Sequence, residues 1–381
     1  MSSFQDAVQM WSGAALKRRE ELCVNLRARS VKCEICRDAC PVSALELTAD
    51  HVAVAEACTV CGACVSSCPG GVFSITGFSA EAVVVAVAGQ SDVRMHCSES
   101  SEIDGGGMVV PCLHVVDARM LSAMAAEGAE SISFGGLDGC EKCTRGDARK
   151  VVADAVARAE RWLGDAAPTF REGIAPAENK GAGKVERHDQ VKMDRRSFLR
   201  FAGVRAAVGA AGWLAPQAKE PAAPVSIFQR DPFAPRVVEY QQVVADRVDR
   251  ISWDEKARPP FYSRSFEASC TVCEVCAQRC PTGALHVEKD ETGKGISYDS
   301  ALCTNCTLCA VICPQEAIKA RAFKVEDLTA RVRKELIRLD TVTCSQCRVQ
   351  YVPDAETQAG LCPSCQIEGE LDNEWMGMLG G

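Results

Sequence analysis

No stretch of the 381-residue chain supplies the roughly 18–20 consecutive apolar residues that a membrane-spanning helix needs, so no transmembrane segment is expected. The opening stretch, M-S-S-F-Q-D-A-V-Q-M-W-S-G-A-A-L-K-R-R-E-E-L, also lacks an apolar core of signal-peptide length; it reads as a polar or amphipathic helix. Basic excess is missing too. A formal net charge of −8 argues against a general nucleic-acid binder, which would need a positive surface to neutralise phosphates. No glycine-rich phosphate loop stands between a strand and a helix, because G-A-G-K-V at 181–185 follows no strand. Neither a flavin or pterin signature nor a nucleophile–base set is visible, which weighs against a freestanding reductase with its own substrate pocket.

What the chain has in plenty is cysteine, 24 in all, grouped rather than scattered. A secreted disulfide framework would be short and would follow a signal peptide, so the expectation is reduced thiols held for metals in a cytoplasmic setting. The length suits roughly two to four domains. The most regular group is C-T-V-C-E-V-C-A-Q-R-C-P with C-T-N-C-T-L-C-A-V-I-C-P, at 270–314, two complete copies of the C-x2-C-x2-C-x3-C-P run. Three closely spaced thiolates can grip three irons of one cube if the backbone coils around it, and the fourth, beside proline, reaches the neighbouring cube. That exchange predicts one [4Fe–4S] set of Cys270, Cys273, Cys276 and Cys313, and a second of Cys303, Cys306, Cys309 and Cys280. Zinc knuckles or disulfides would not require the doubled spacing or the paired prolines. The stretch resembles bacterial two-cluster ferredoxins.

An irregular copy precedes it. Cys58, Cys61, Cys64 and Cys68 make a complete run, but the run before it has only Cys33, Cys36 and Cys40, with Ser30 where a leading cysteine would stand. The same exchange assigns Cys58, Cys61, Cys64 and Cys40 to one cluster and leaves Cys33, Cys36 and Cys68 in need of a partner. Cys23, at the end of the helical segment E-E-L-C-V-N-L-R-A-R-S, is the expected fourth ligand; a three-iron cluster or ligation by the Ser30 oxygen are the alternatives. The segments P-V-S-A-L-E-L and P-G-G-V-F-S-I each read as a turn leading into a strand.

The middle of the chain changes character. E-A-V-V-V-A-V-A-G, V-R-M-H-C, M-V-V-P-C and S-I-S-F-G-G read as strands, and D-A-R-M-L-S-A-M-A-A-E-G and D-A-R-K-V-V-A-D-A-V-A-R-A-E-R-W-L-G as helices. Their alternation predicts a small parallel α/β sheet. Cys97 and Cys112 close two strands, and Cys140 and Cys143 lie in a loop after a third, at the carboxyl ends where such sheets place ligands. Convergence on one metal such as zinc, a Cys140/Cys143 dithiol pair and four structural thiols are the readings the residues leave open. His96 and His114 flank two of these thiols and read as ordinary neighbours. The arrangement P-C-L-H-V-V-D-A-R-M-L followed by E-G-A-E-S-I-S-F-G-G-L-D-G-C-E-K-C resembles the delta subunit of methyl-viologen-reducing hydrogenases. That resemblance implies a [2Fe–2S] cluster passing electrons between a hydrogenase and a heterodisulfide reductase.

From Ala166 to about Gln190 the composition reads as a solvated linker. M-D-R-R-S-F-L-R-F-A-G-V-R-A-A-V-G-A-A-G-W-L-A-P then resembles a twin-arginine export signal, with Arg195 and Arg196 as the pair. It reads as a relic of fusion or a structural helix; the alternatives are a docking element, or an internal start at Met193 exporting the C-terminal half. Accessory ferredoxins of nitrate reductase systems similarly carry an arginine pair without export. A helix or strand is expected around V-V-E-Y-Q-Q-V-V-A-D-R-V-D-R, a hairpin at E-K-D-E-T-G-K-G-I-S-Y, and a basic helix at V-E-D-L-T-A-R-V-R-K-E-L-I-R-L. Cys344, Cys347, Cys362 and Cys365 then form two knuckles of zinc-ribbon type, rubredoxin-like iron being the alternative. The tail E-G-E-L-D-N-E-W-M-G-M-L-G-G reads as loosely held, with Trp375, Met376 and Leu379 as partner contacts.

The expectation is thus an α+β multidomain chain. It comprises a ferredoxin-like module over 1–80, an α/β cysteine domain over 81–165, a linker over 166–235, a second module over 236–325, and a helix, ribbon and tail over 326–381. The implied cofactors are four [4Fe–4S] clusters, a further [2Fe–2S] site and zinc. The function expected is electron transfer between a dehydrogenase, hydrogenase or reductase and an acceptor, in a membrane-associated complex or free of one. The alternative is a maturation, redox-sensing or docking accessory of a metalloenzyme, associating only with its immature partner.

Overall fold

The computed structural model describes residues 14–48, 50–100, 107–173, 236–254, 256–321, 323, 333–353 and 360–378. They form a multidomain α+β chain with several small sheets. In the first module, β1 (Leu16–Arg18) pairs antiparallel with β4 (Phe73–Ile75), and β2 (Leu45–Leu47) pairs with β3 (Val52–Val54). Between them lie three short helices, α1 (Val24–Arg27), α2 (Ile35–Asp38) and α3 (Ala63–Ser67). The helix expected at the start of the chain does not reach Leu16–Arg18, which are extended and zipped to the strand behind the last cysteine; residues 1–13 lie outside the described residues.

The middle domain begins with a correction. E-A-V-V-V-A-V-A-G is not a strand: Ala80–Ala86 is helix α4. Ser79 caps it by accepting from the Ala82 amide, Glu81 sits in its first turn, and Ala80, Val83 and Val84 are buried at helical spacing. The sheet is parallel, in the order β6–β5–β7–β8, from β5 (Asp92–Cys97), β6 (Met108–Val110), β7 (Ser131–Gly135) and β8 (Thr169–Glu172). Helices α5 (Ala118–Ala126, capped by Asp117) and α6 (Arg149–Leu163) fall where expected. Strand β8 lies in the stretch read as the start of a linker; Phe170 and its neighbours pair with β7 and extend the sheet. Residues 174–235, including Met193, Arg195 and Arg196, lie outside the described residues.

Helix α7 (Glu239–Ala245) buries Tyr240 and Val243 in the core of the middle domain, while Val244 and Ala245 join a smaller apolar cluster that also takes in Ala301 and Phe323 of the second module. Tyr240 is fully buried and its hydroxyl donates to the Val115 carbonyl at 2.7 Å. Arg247 beyond it donates to Glu81 and Glu127, each at 2.7 Å.

The second module repeats the plan of the first. Strand β9 (Ser263–Phe266) pairs with β12 (Ile318–Arg321), and the hairpin β10 (Leu285–Lys289) and β11 (Gly293–Tyr298) sits between the cysteine runs, with α8 (Val275–Arg279) and α9 (Leu308–Val311). The basic segment expected to be helical is instead strand β13 over Lys334–Asp340, paired with β11; 324–332 lie outside the described residues. Gly293 and Gly295 permit this pairing, since a Cβ on either would stand 2.7 Å from a β13 carbonyl. The last unit is a hairpin of β14 (Val342–Thr343) and β15 (Gln350–Tyr351) followed by α10 (Pro363–Met378). The tail expected to be loose is helical through Met378, with Trp375 exposed; Leu379 lies outside the described residues. No described helix is long and apolar enough to cross a membrane.

Candidate metal centres

The three complete cysteine runs share one backbone coil. Val60, Val272 and Asn305, each two residues past a leading cysteine, have φ of 55°, 50° and 58°; Gly62, Glu274 and Thr307, each just past a second cysteine, have 88°, 70° and 62°. A β-branched residue in the left-handed region is strained, and strain of this kind collects at functional sites. All four Cys-Pro turns also put a left-handed residue three positions after the cysteine: Ser43, Gly71, Gly283 and Glu316. The turn aims backbone amides at sulfur, as where the Ala44 amide donates to Cys40 Sγ at 3.2 Å and the Ala317 amide to Cys313 Sγ at 3.4 Å. The incomplete first run differs. Glu34, between Cys33 and Cys36, has φ −120° and leads directly into α2.

The thiols that this coil gathers surround three small cavities. One is lined by Cys40, Cys58, Cys61 and Cys64, a second by Cys23, Cys33, Cys36 and Cys68, and a third by Cys280, Cys303, Cys306 and Cys309. These groupings coincide with three of the four expected by exchange. In the fourth, Cys270, Cys273, Cys276 and Cys313 are electrostatic neighbours. Burial pushes the thiols up: Cys36, Cys276 and Cys306 to about 12, Cys68 and Cys309 to about 11. Such groups stay protonated at neutral pH unless a bound cation draws off the proton. Four thiols around one small cavity are a donor set of the kind a cubane requires.

Cys23 reaches the second cavity because Asn25 folds its loop back. The Asn25 side chain accepts from the Cys33 amide at 2.7 Å and donates to the Cys33 carbonyl at 2.8 Å, mimicking a strand pair across eight residues. Ser30, the alternative oxygen ligand, is exposed and does not line that cavity.

In the middle domain Cys97, Cys112 and Cys140 are buried at the carboxyl end of the sheet, with Cys143 half-buried beside them. A hydrogen bond from Cys112 is the chief cause holding Cys97 down at about 7, with the Arg145 guanidinium adding to it, while Cys112 is pushed up. His114 Nδ1 stands 3.2 Å from Cys112 Sγ. Three or more donors within 4.8 Å of one another, as one ion needs, occur among the described residues only at Cys344, Cys347, Cys362 and Cys365. There the Cys347 and Cys362 sulfurs are 3.6 Å apart and the Cys362 amide donates to Cys344 Sγ at 3.3 Å. Four sulfurs at about 2.3 Å from a central zinc fit that spacing. The middle-domain thiols, as placed, are spread more widely.

Residues 269–317 match the family profile of the 4Fe-4S dicluster domain. That stretch is an iron–sulfur, ferredoxin-like domain. No curated protein sequence matches the chain. The match covers the second module of this iron–sulfur protein and supports an electron-transfer role.

Beyond the cysteines of the iron–sulfur protein, the structure brings in residues that spacing did not reveal. Arg264 lines the Cys280/Cys303/Cys306/Cys309 cavity. Tyr298 lines it too and donates to the Tyr262 carbonyl at 2.5 Å. Arg145, donating to the Pro111 carbonyl at 2.5 Å, holds its charge near Cys97. Only the asparagine–cysteine clamp at Asn25 leaves a sequence trace, a polar residue between two ligands separated by an unusual gap.

Proposed function

We propose that the chain is a polyferredoxin subunit that relays single electrons between two redox partners, with four [4Fe–4S] clusters, a [2Fe–2S] cluster at Cys97, Cys112, Cys140 and Cys143, and a structural zinc at Cys344, Cys347, Cys362 and Cys365. The observation that carries this reading is the junction between the modules. Cys33 of the first and Cys306 of the second pack on one shared apolar cluster of Val24, Val31 and Leu308. Thr304, next to Cys303, donates to the carbonyl of Pro69, next to Cys68, at 2.7 Å.

Contacts on either side support a succession of neighbouring sites. Ser66 of α3 donates to the His114 carbonyl at 3.1 Å, and Gly62 lies against Val115, so the Cys58–Cys64 coil presses on the segment that begins at Cys112. Cys64 and Cys36 are electrostatic neighbours within the first module, as are Cys276 and Cys309 within the second. The order is therefore the middle-domain site, the Cys40 set, the Cys23 set, the Cys280 set and the Cys270 set. When bound, the clusters supply one-electron redox chemistry; the chain's part is to bury, space and bias them. The wide spacing of the middle-domain thiols favours a two-metal cluster there over one zinc ion. The partners are redox proteins, a dehydrogenase, hydrogenase or reductase meeting the middle domain and an acceptor meeting the Cys270 end.

The test is anaerobic purification of the full chain with iron, sulfide and zinc analysis, then EPR of the dithionite-reduced protein. About eighteen irons, one zinc and magnetic interaction between the reduced clusters are expected. About eight irons, or clusters that reduce with no mutual broadening, would sink the relay.

A further inference from the structure

The two modules share a strand-pairing register, and that register exposes one difference. In the second module Arg264 of β9 lies opposite Ala320, two residues along from the Phe266–Ile318 pair that opens β12. In the first module Leu16 of β1 lies opposite Ile75, two residues along from the Arg18–Phe73 pair that opens β4. Phe73 and Ile318 each stand five residues past the last cysteine of their module, Cys68 and Cys313. Leu16 and Arg264 are therefore structural counterparts. Each lines the cavity of the equivalent cysteine set, Leu16 with Cys40, Cys58, Cys61 and Cys64, and Arg264 with Cys280, Cys303, Cys306 and Cys309.

An arginine in that position is costly without a purpose. Arg264 is 5% exposed; its Nη2 donates to the Asn305 side chain and its Nη1 to the Ser263 carbonyl at 3.4 Å. Its Nε is buried with no hydrogen-bond partner. The charged or titratable groups that face it are Cys303, Cys309 and Tyr298; no carboxylate among the described residues pairs with it. A buried guanidinium demands an anionic partner. Among the described residues, the candidates for that anion are the thiolates of the cavity and whatever they hold.

We propose that Arg264 raises the reduction potential of the cluster held by Cys280, Cys303, Cys306 and Cys309, so that this site accepts electrons more readily than its Leu16-lined counterpart. The proposal rests on the reading that both sets hold cubanes. Reduction adds one electron, and so one negative charge, at the site; dithionite is the donor and no proton is required. A fixed buried cation stabilises that added charge, and an apolar side chain does not. Because the Arg264 site lies just across the module junction, the bias would draw electrons from the first module into the second.

The experiment is an EPR-monitored redox titration of the full chain carrying R264L, which installs the first module's own residue, beside R264K. In R264L one cubane step, that of the Cys280/Cys303/Cys306/Cys309 site, is expected to lose at least about tenfold in its reduction equilibrium constant, about 59 mV for one electron. R264K, which keeps the charge, should stay near the wild type. R264L with its full iron content and unmoved potentials overturns the proposal, as does R264K shifted as far as R264L. If R264L sheds about four irons, N305D decides, because Asn305 is exposed, already left-handed at φ 58° and bonded to Arg264. A carboxylate there must lower one cubane step, and a titration with every step unmoved overturns the proposal. A wild type with far fewer than sixteen cubane irons would instead overturn the reading of the sites.

Discussion

Arg27 and Arg279 each donate to the other's backbone carbonyl, Arg27 Nη1 to Arg279 O at 3.1 Å and Arg279 Nη1 to Arg27 O at 3.3 Å. One closes α1 of the first module and the other α8 of the second, just before Cys280. Each charge thus answers a helix carboxyl end, where cations are favoured. This reciprocal pair, with Thr304 on Pro69, clamps the apolar junction between Cys33 and Cys306.

Replacing both arginines by alanine should loosen the junction without touching a ligand. Two hydrogen bonds from charged donors suggest a loss of about 2–4 kcal/mol from module association. Iron content is expected to hold, while magnetic interaction between clusters of different modules weakens in the reduced EPR spectrum. Retention of wild-type broadening in the double variant would show that the relay does not pass through this contact.

Cys23 carries a second prediction. C23S should lower the iron content by at least about one per chain and convert the Cys33/Cys36/Cys68 site to a three-iron form, visible by EPR in the oxidised protein. N25A should do the same more weakly, because it removes the two bonds to Cys33 that return the loop, at a cost of about 2 kcal/mol. Full iron in C23S would strike Cys23 from the ligand set.

Much of this arrangement was legible because cysteine spacing is a metric in itself. Once the runs are recognised, the coil between ligands has little freedom, and the cavity groupings coincide with the exchange rule. Periodicity was less reliable where apolar runs are short. A-E-A-V-V-V-A has the length and valines of a strand, and the Ser79 cap decides for helix. K-E-L-I-R-L-D suits a helical stripe as well as a strand, and the free edge of β11 decides for strand. Nothing local to Tyr240 or Arg247 reveals that their segment packs on the middle domain, since their partners Val115, Glu81 and Glu127 lie more than a hundred residues away. Arg264 was invisible for the same reason. Its significance comes from a register shared with Leu16, which only paired strands display.

Gly62 marks where the first module meets the middle domain. Its φ is +88°, and a Cβ there would stand 2.4 Å from Val115 Cγ1 and 3.0 Å from Ile75 Cδ1. G62A should therefore cost at least about 2 kcal/mol, from the left-handed backbone and from overpacking together. Val115 adjoins His114, whose ring touches Cys112, so on the proposed reading a cluster held by the middle-domain thiols should become labile before those of the second module. Thermal unfolding followed by cluster absorbance checks both parts. A variant that melts like the wild type would show that this packing is loose.

The last prediction concerns pH and the seat of α7. Glu127 accepts from Arg247 Nε at 2.7 Å and from Arg250 Nη2 at 3.0 Å, with Arg247 itself almost wholly buried. Burial alone would raise the Glu127 carboxyl; the bonds from Arg250 and Arg247 outweigh it and hold the group below its ordinary 4.5. A carboxyl whose folded value is depressed binds its proton more readily when unfolded. Its stabilising contribution is therefore complete above the unfolded value and fades as pH falls through the lower, folded one. E127Q keeps the shape but not the charge, so it should cost about 1–2 kcal/mol at neutral pH. That deficit should shrink below about pH 4.5, as the wild type itself becomes protonated. Urea unfolding read by the fluorescence of Trp162 and Trp253, which lie on the two sides of the contact where the Asp254 amide donates to the Trp162 carbonyl at 2.8 Å, follows this difference. A deficit that stays constant down to about pH 3 would mean that packing, and not the charge on Glu127, seats the helix.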